Sequence, residues 1–452
     1  MRKMVKHWKR GMCMVLCTVL LAGCSAAPGG SSAGSGSAAP GPQVAAPQAV
    51  YQKPEADRSA VIKLSCAANE TEKQLIEEAI ARFNAKYPNV KVETTFSVGD
   101  SWQDYSSKLV VQMASGNAPD VVGVAIEGTR MMVGKEVLVP LNDYLQNDPD
   151  GAEMMEDITQ TAWDAFTVDG SIYEVPKDSN IVIMFYNKKM FADAGIDEPD
   201  PDWTWEDFVS IAQKLTKGEG DSKVWGYMVR DNITTGYLPF LTTNGTNLLT
   251  PDLTASNLQD PKVQESFQFI YDLVYKYKVA PIPEAKTDII NLFAAGRVAM
   301  IPTGMFAIPT FKANGFTDYA IVPLPKKESH SASFGVGGLG IVNSCKEKDL
   351  AWELVKELSS KEFAMRCAEE QTTLPVRRSA AESEAFAQVM PNAQLFYEEL
   401  ENASAFPCPY IYPDMSRIVI SMFESMITNQ AAIPEALAAA HQELEQAFKE
   451  AN

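Results

Sequence analysis

Glu127 and Asp178 are the two carboxylates that could serve as a pair in glycoside hydrolysis. A glycosidase sets its two carboxyls roughly 5 Å, or about 6.5–9.5 Å, apart across the bond it breaks. No local motif marks these two for that work. Metal chemistry has less material still. Cys66, Cys345, Cys367 and Cys408 are widely spaced without a C-x-x-C, so neither a metal nor a cofactor is expected. Whether they form disulfides stays open. Beyond residue 23 the only histidines are His330 and His441. The run GVGGLG at 335–340 matches G-x-G-x-x-G but does not open a first βαβ unit, so a dinucleotide reading fails. Binding chemistry remains. Asp178, Ser179 and Asn180 follow Pro176, which holds the residue before it extended. They lead into the apolar run 181–186, which reads as a strand buried on both faces. Polar groups at such an edge either satisfy local backbone or face a ligand.

Alternating and helical periods supply the elements that must position these groups. Residues 61–66 alternate as a first strand, 72–87 carry apolar residues at helical spacing, and 90–93 start a second strand. Strand, helix and strand within about thirty residues make a βαβ unit with a parallel sheet. A helix over 102–115 and a strand over 121–124 follow. Thr204 before Trp205, Glu206 and Asp207 predicts a capped helix to 217. A strand is expected at 224–230, a loop-rich piece at 236–247, and a helix at 263–277. Strands at 298–301 and 319–324 and a glycine loop at 335–340 come next. Helices cover 349–369 and the end of the chain. Trp203, Trp205, Trp225 and Trp352 fall at core positions.

The 452 residues exceed one ordinary core, so two lobes are expected. A hydrophobic content of 46% with 21% charged residues is that of a globular protein. Arg2, Lys3, Lys6, Lys9 and Arg10 precede an apolar stretch over 12–22. That stretch is too short for an ordinary membrane span and reads as a signal peptide over 1–23. Removing those five cations takes the formal charge from −19 to −24. So acidic a chain repels phosphate backbones, and no nucleic-acid partner is expected. Leu21-Ala22-Gly23-Cys24 resembles the bacterial lipobox, with Cys24 the lipid acceptor. Residues 24–60 form a Ser/Ala/Gly/Pro tether. Together they describe an exported protein, lipid-anchored to the outer face of the bacterial cell membrane.

Seven further pieces stand in order: FNAKYPNVKVE (83–93), ASGNAPDVV (114–122), LVPLNDYL (138–145), YEVPKDSNIVIMFYNKKMFADAGI (173–196), WTWEDFVSIAQKL (203–215), FAAGRVAMIPTGMF (293–306) and GVGGLGIVNS (335–344). Their order resembles the extracellular solute-binding proteins of ABC importers, the maltose-binding-like sugar-binding group known as family 1. The resemblance implies an α/β, two-lobed periplasmic-binding-protein-like (type II) fold. Each lobe is then a central sheet flanked by helices, and a hinge joins them. Lobe 1 is expected over 61–177 and 325–370, and lobe 2 over 178–324 and 371–452. The first crossing is expected at 175–180 and the second at 319–325.

A sugar offers hydroxyls and apolar C–H faces, so its site needs flat rings together with amides and carboxylates. Within the resemblance, Asn69 and Glu70 follow the first strand, although Asn69 equally suits a helix cap. Trp102 starts a helix beside Asp100 and Ser101, and Glu127 follows the third strand, where the family carries an acidic sugar ligand. Asp120 is read as a structural turn residue. Asp178 and Asn180 lie in the crossover. Tyr237 and Asn244 are expected on a cleft-facing loop of lobe 2. Phe306 stands where the family usually stacks a Trp, without that residue's indole N–H. Gly337 and Gly338 would let backbone approach the ligand closely. Tyr410 and Tyr412 complete the set.

The expected function is capture of a sugar or oligosaccharide in an interlobe cleft, by a monomer, for delivery to ABC permease transmembrane subunits. It involves no catalysis. The rivals are a secreted glycosidase-type enzyme and a binder of a non-sugar solute.

Overall fold

The computed structural model describes residues 51–97, 102–284, 287–401 and 403–451. The leader, Cys24, most of the tether, and Asp100 and Ser101 lie outside them. Two main sheets are built from β1 (Ala60–Ala67), β2 (Val90–Ser97), β3 (Val121–Ala125), β4 (Val175–Ile181), β5 (Ile183–Asn187), β6 (Trp225–Tyr227), β7 (Val298–Thr303), β8 (Tyr319–Val322), β9 (Ser333–Ile341) and β10 (Ser404–Ala405). The helices that matter for the site are α1 (Glu70–Lys86), α2 (Trp102–Ala114), α3 (Ile126–Gly134), α4 (Trp205–Leu215), α5 (Leu238–Thr243), α6 (Pro261–Tyr275), α7 (Lys361–Glu370), α8 (Tyr412–Ile427) and α9 (Ile433–Ala451).

In the first sheet β1 pairs in parallel with β2 and β3, as the βαβ pattern requires. The antiparallel strand β9 lies beside β3, and β4 runs along the other edge of β9. The second sheet has the order β8-β5-β7-β6, with β5 antiparallel to both neighbours. All five residues of β5 are buried, the burial that its unbroken apolar run requires. Around it Phe185 packs on Phe311, Tyr319 and Phe396. The chain is therefore two-lobed, with one sheet in each lobe.

Three local readings change. The glycine run at 335–340 is the strand β9, not a loop. Its glycines are needed because side chains cross directly over it. A Cβ at Gly335 would lie 2.7 Å from the Phe406 ring, and one at Gly338 would lie 2.7 Å from Phe166 and from Glu174. Residues 236–247, read as loop-rich, hold a π-helical turn (Ile233–Tyr237) that continues into α5. The tether expected to reach residue 60 is already docked at Tyr51. The Tyr51 hydroxyl donates to Glu353, and its ring packs on Tyr144.

The passage between sheets also falls later than expected. β4 stays in register with β9 as far as Ile181, so the chain changes sheets at Val182 rather than within 175–180. It returns through 323–332, between β8 and β9. Leu374 pairs with Ser179, and β10 pairs with β9, so both 374 and 404–405 adjoin the first sheet. α8 then packs against α3 and against the turn at 233–237. The four described cysteines, Cys66, Cys345, Cys367 and Cys408, are buried free thiols.

Candidate functional site

The parallel strands β1, β2 and β3 end at one edge of the first sheet, and open α/β sheets present ligand sites at such edges. Between this edge and the second lobe lies a cavity of about 750 Å³. Strand ends and helix starts supply Asn69, Glu70, Glu72, Ser97, Trp102 and Glu127. β4 supplies Lys177, Asp178 and Asn180, and β9 supplies Gly335, Val336 and Gly337. The second lobe supplies Thr234, Thr235, Phe306, Pro309 and Thr310. Both lobes therefore wall the same space.

Asn69 performs the capping task that its position allows. Its Oδ1 accepts from the Glu72 amide at 2.9 Å, and Glu72 Oε2 accepts from the Asn69 amide at 2.8 Å. This capping box fixes the start of α1 at the cavity wall. Glu70 is exposed and stands 4.0 Å from Lys73. Asp120 is a structural turn residue: its Oδ2 accepts from the Lys63 amide at 2.8 Å.

Lys177 and Asp178 form a largely buried ion pair in the wall of the cavity. Burial alone would lower the Lys177 ammonium, but the charge of Asp178 outweighs it and holds the group above its usual range. Asn180 Oδ1 is buried without a hydrogen-bond partner. Glu127 stands in the first turn of α3. Burial pushes its carboxyl up to about 7, opposed only by its own backbone amide, and its Oε2 has no partner. Two rings are open to the space: Trp102 is 36% exposed and Phe306 41%. Phe406 adds a third ring to the wall.

The structure thus brings Asn69, Glu70, Trp102, Glu127, Asp178, Asn180, Phe306 and Gly337 to one cavity. It places the other expected residues elsewhere. Tyr237 is fully buried, because the helical turn around it packs inward: its hydroxyl donates to Asp231, and its ring centroid lies 4.4 Å from that of Phe423. Asn244 is also fully buried, with its amide nitrogen directed at the Lys262 carbonyl, Glu265 and Ser266. Gly338 borders a narrow recess next to the cavity, with Glu174 and Phe166 crowded over its Cα. Tyr410 packs edge-on against Phe448, and Tyr412 is buried in the first turn of α8. Neither tyrosine lines the cavity.

Sequence reasoning missed Lys177, Thr234, Thr235, Thr372, Thr373 and Phe406. Lys177 lay in plain view beside Asp178, and only its inward turn was hidden. Thr235 is held by Asn232, whose Oδ1 accepts from both the Thr235 amide and its hydroxyl. An Asn three residues before a Thr was a readable capping signal. Phe406 carried no periodic signal. Among the described residues no cluster of three or more His, Cys, Asp or Glu could hold a metal. Nor is any described helix long and apolar enough to cross a membrane.

The family model for the bacterial extracellular solute-binding proteins matches residues 67–365. The chain is 25% identical over 301 residues to the arabinooligosaccharide-binding protein of Halalkalibacterium halodurans. That match covers 61% of this chain and 62% of the relative, so the chain spans under two thirds of that relative's length. An ABC substrate-binding protein of Listeria monocytogenes, solved with cycloalternan, superposes with a TM-score of 0.77 at 23% identity. It covers 87% of this chain and 100% of its own. A solute-binding protein from Thermotoga lettingae, bound with α-D-tagatose, superposes with a TM-score of 0.75 at 25% identity. It covers 86% and 100%.

Proposed function

The chain belongs to the bacterial extracellular solute-binding proteins, and on that premise we propose that it captures a sugar or oligosaccharide between its lobes for delivery to an ABC permease. The observation that carries this reading is the cavity of about 750 Å³, walled by both lobes. That size suits a small molecule of one to a few rings. Trp102, Phe306 and Phe406 offer flat faces for C–H surfaces. Asn180, Glu127 and the threonines offer groups for hydroxyls. A ligand touching both walls stabilises the closed arrangement over the open one, and this difference is what a carrier must signal.

Capture without bond breaking is the better reading of the carboxylates. Asp178 is already bound to Lys177, so it is a poor nucleophile or base. The raised Glu127 is then left without the second free carboxyl that glycoside cleavage needs. Within the same proposal, Cys24 carries the lipid, residues 25–50 tether the lobes to the membrane, and the protein works as a monomer. The lobes correspond to the two sheets. The first comprises most of 61–181 with 333–370, the second most of 183–322, and the segment 371–452 borders both.

Thermal-shift screening with mono- and oligosaccharides tests the reading. A raised midpoint with the sugar recovered intact is expected. Released product points to the enzyme, and no shift with any saccharide points to a non-sugar solute.

A further inference from the structure

The cavity wall carries five carboxylates, Glu70, Glu72, Glu127, Asp178 and Glu370, against one base, Lys177. Four of the five already have a partner. Glu72 accepts from the Asn69 amide, Asp178 pairs with Lys177, Glu370 lies 3.3 Å from Arg366, and Glu70 lies 4.0 Å from Lys73. Glu127 forms no ion pair among the described residues, and its Oε2 is buried without a hydrogen bond. The titratable groups that feel its charge are Cys408 and Tyr412 from the 406–412 segment, and Arg130, three residues on along its own helix, acts on Cys408. Cys408 and Tyr412 are both held neutral by burial. Arg130 makes no ion pair with Glu127 and borders a separate cavity of about 700 Å³ that also contains Asp164 and Asp260.

We propose that the captured ligand carries a protonated amine and that Glu127 is its counter-ion, so that the substrate class is an amino sugar or an oligosaccharide containing one. This rests on the carbohydrate-capture reading and narrows it. A buried carboxylate without a counter-charge is costly, and a ligand ammonium relieves that cost more fully than a neutral hydroxyl does. The resulting N–H···O bond joins two charged groups and is roughly twice as strong as a neutral one. The open faces of Trp102 and Phe306 attract a cation as well as a C–H face. The acidic chain draws cations toward itself and repels anions. An acidic sugar or a sugar phosphate would bring negative charge to a wall whose single base is already paired.

The test is calorimetric titration of the protein with matched saccharides that differ at one position: amine, N-acetyl amine or hydroxyl. The set runs from glucosamine and galactosamine through their β-1,4-linked disaccharides and trisaccharides. In at least one set the amine member should bind about tenfold or more tighter than its counterparts, which is about 1.4 kcal/mol. In Glu127→Gln that ratio should fall to roughly two or less, the neutral amide offering no charge to the ammonium. If the Gln variant fails to fold, salt reads the same charge in the unaltered protein, and the preference should shrink between about 0.05 M and about 0.5 M NaCl. Saccharide binding in which, in every set, a hydroxyl or N-acetyl member binds as tightly as its amine counterpart overturns the proposal and leaves carbohydrate capture standing. A preference that survives both Glu127→Gln and salt removes Glu127 as the counter-ion. Binding of no saccharide in any set overturns the proposal together with the reading beneath it.

Discussion

Lys177 and Asp178 are adjacent in sequence, yet their side chains meet in a largely buried ion pair. Consecutive residues of a regular strand point to opposite faces. The register of β4 on β9 runs from Gly337 opposite Asp178 to Gly338 opposite Pro176, which leaves Lys177 as the extra residue of a bulge. A bulge re-aims a side chain and breaks the alternation. Lys177→Met is expected to leave Asp178 buried and unpaired, lowering stability by about 3–5 kcal/mol. Chemical denaturation with and without the substitution measures this. Replacing both residues, as Lys177→Met with Asp178→Leu, should recover much of the loss.

The bare surface of β9 gives a second expectation. A Cβ on Gly338 would meet Phe166 and Glu174 at 2.7 Å. These are packed core groups rather than flexible tips. Gly338→Ala should therefore cost about 1–3 kcal/mol through overpacking. It should lower the unfolding midpoint at every ligand concentration, which a thermal melt reads directly.

This strand also marks where the sequence stopped being legible. Periodicity revealed the βαβ start, the buried strand β5 and the capped helix α4, because each is specified locally by its own residues. GVGGLG looked like a loop because glycine is usually a turn residue. Its real cause is non-local: Phe406, Asp178, Glu174 and Phe166, all distant in sequence, cross over the strand. Tyr237 and Asn244 failed as cleft residues for a related reason. The Tyr237 hydroxyl is taken by Asp231 and the Asn244 amide nitrogen by the Lys262 carbonyl and by side chains of α6, partners that no local pattern reveals. Lys177 turns inward only because a bulge forms with β9.

Glu174 makes a prediction about pH. It is fully buried, and the Thr129 hydroxyl donates to its Oε1 at 2.8 Å. Burial pushes its carboxyl up to about 8. A folded-state value raised above the unfolded one gives stability that is full below the ordinary carboxylate range. That stability is lost as pH rises toward 8. Glu174→Gln should remove this dependence. The stability of the variant relative to the unaltered protein should rise by up to about 1.4 kcal/mol per pH unit between about pH 5 and 7. Urea titrations at a series of pH values decide this.

Phe306 and Asn244 should part company on mutation. Phe306 is 41% exposed at the cavity, and Phe306→Ala should weaken sugar binding about tenfold with little change in the melt. Asn244 is fully buried in the second lobe, and Asn244→Ala should cost about 1–3 kcal/mol of stability while leaving affinity nearly unchanged. Calorimetry and thermal melts on the two variants separate the roles.

Sugar capture is tested most directly by one titration of the protein with a panel of mono- and oligosaccharides, followed by chromatography of the recovered ligand. At least one saccharide should bind with an affinity of order micromolar, about −8 kcal/mol, and be returned chemically unchanged. A panel with no binder, or a bound saccharide returned hydrolysed, would contradict it.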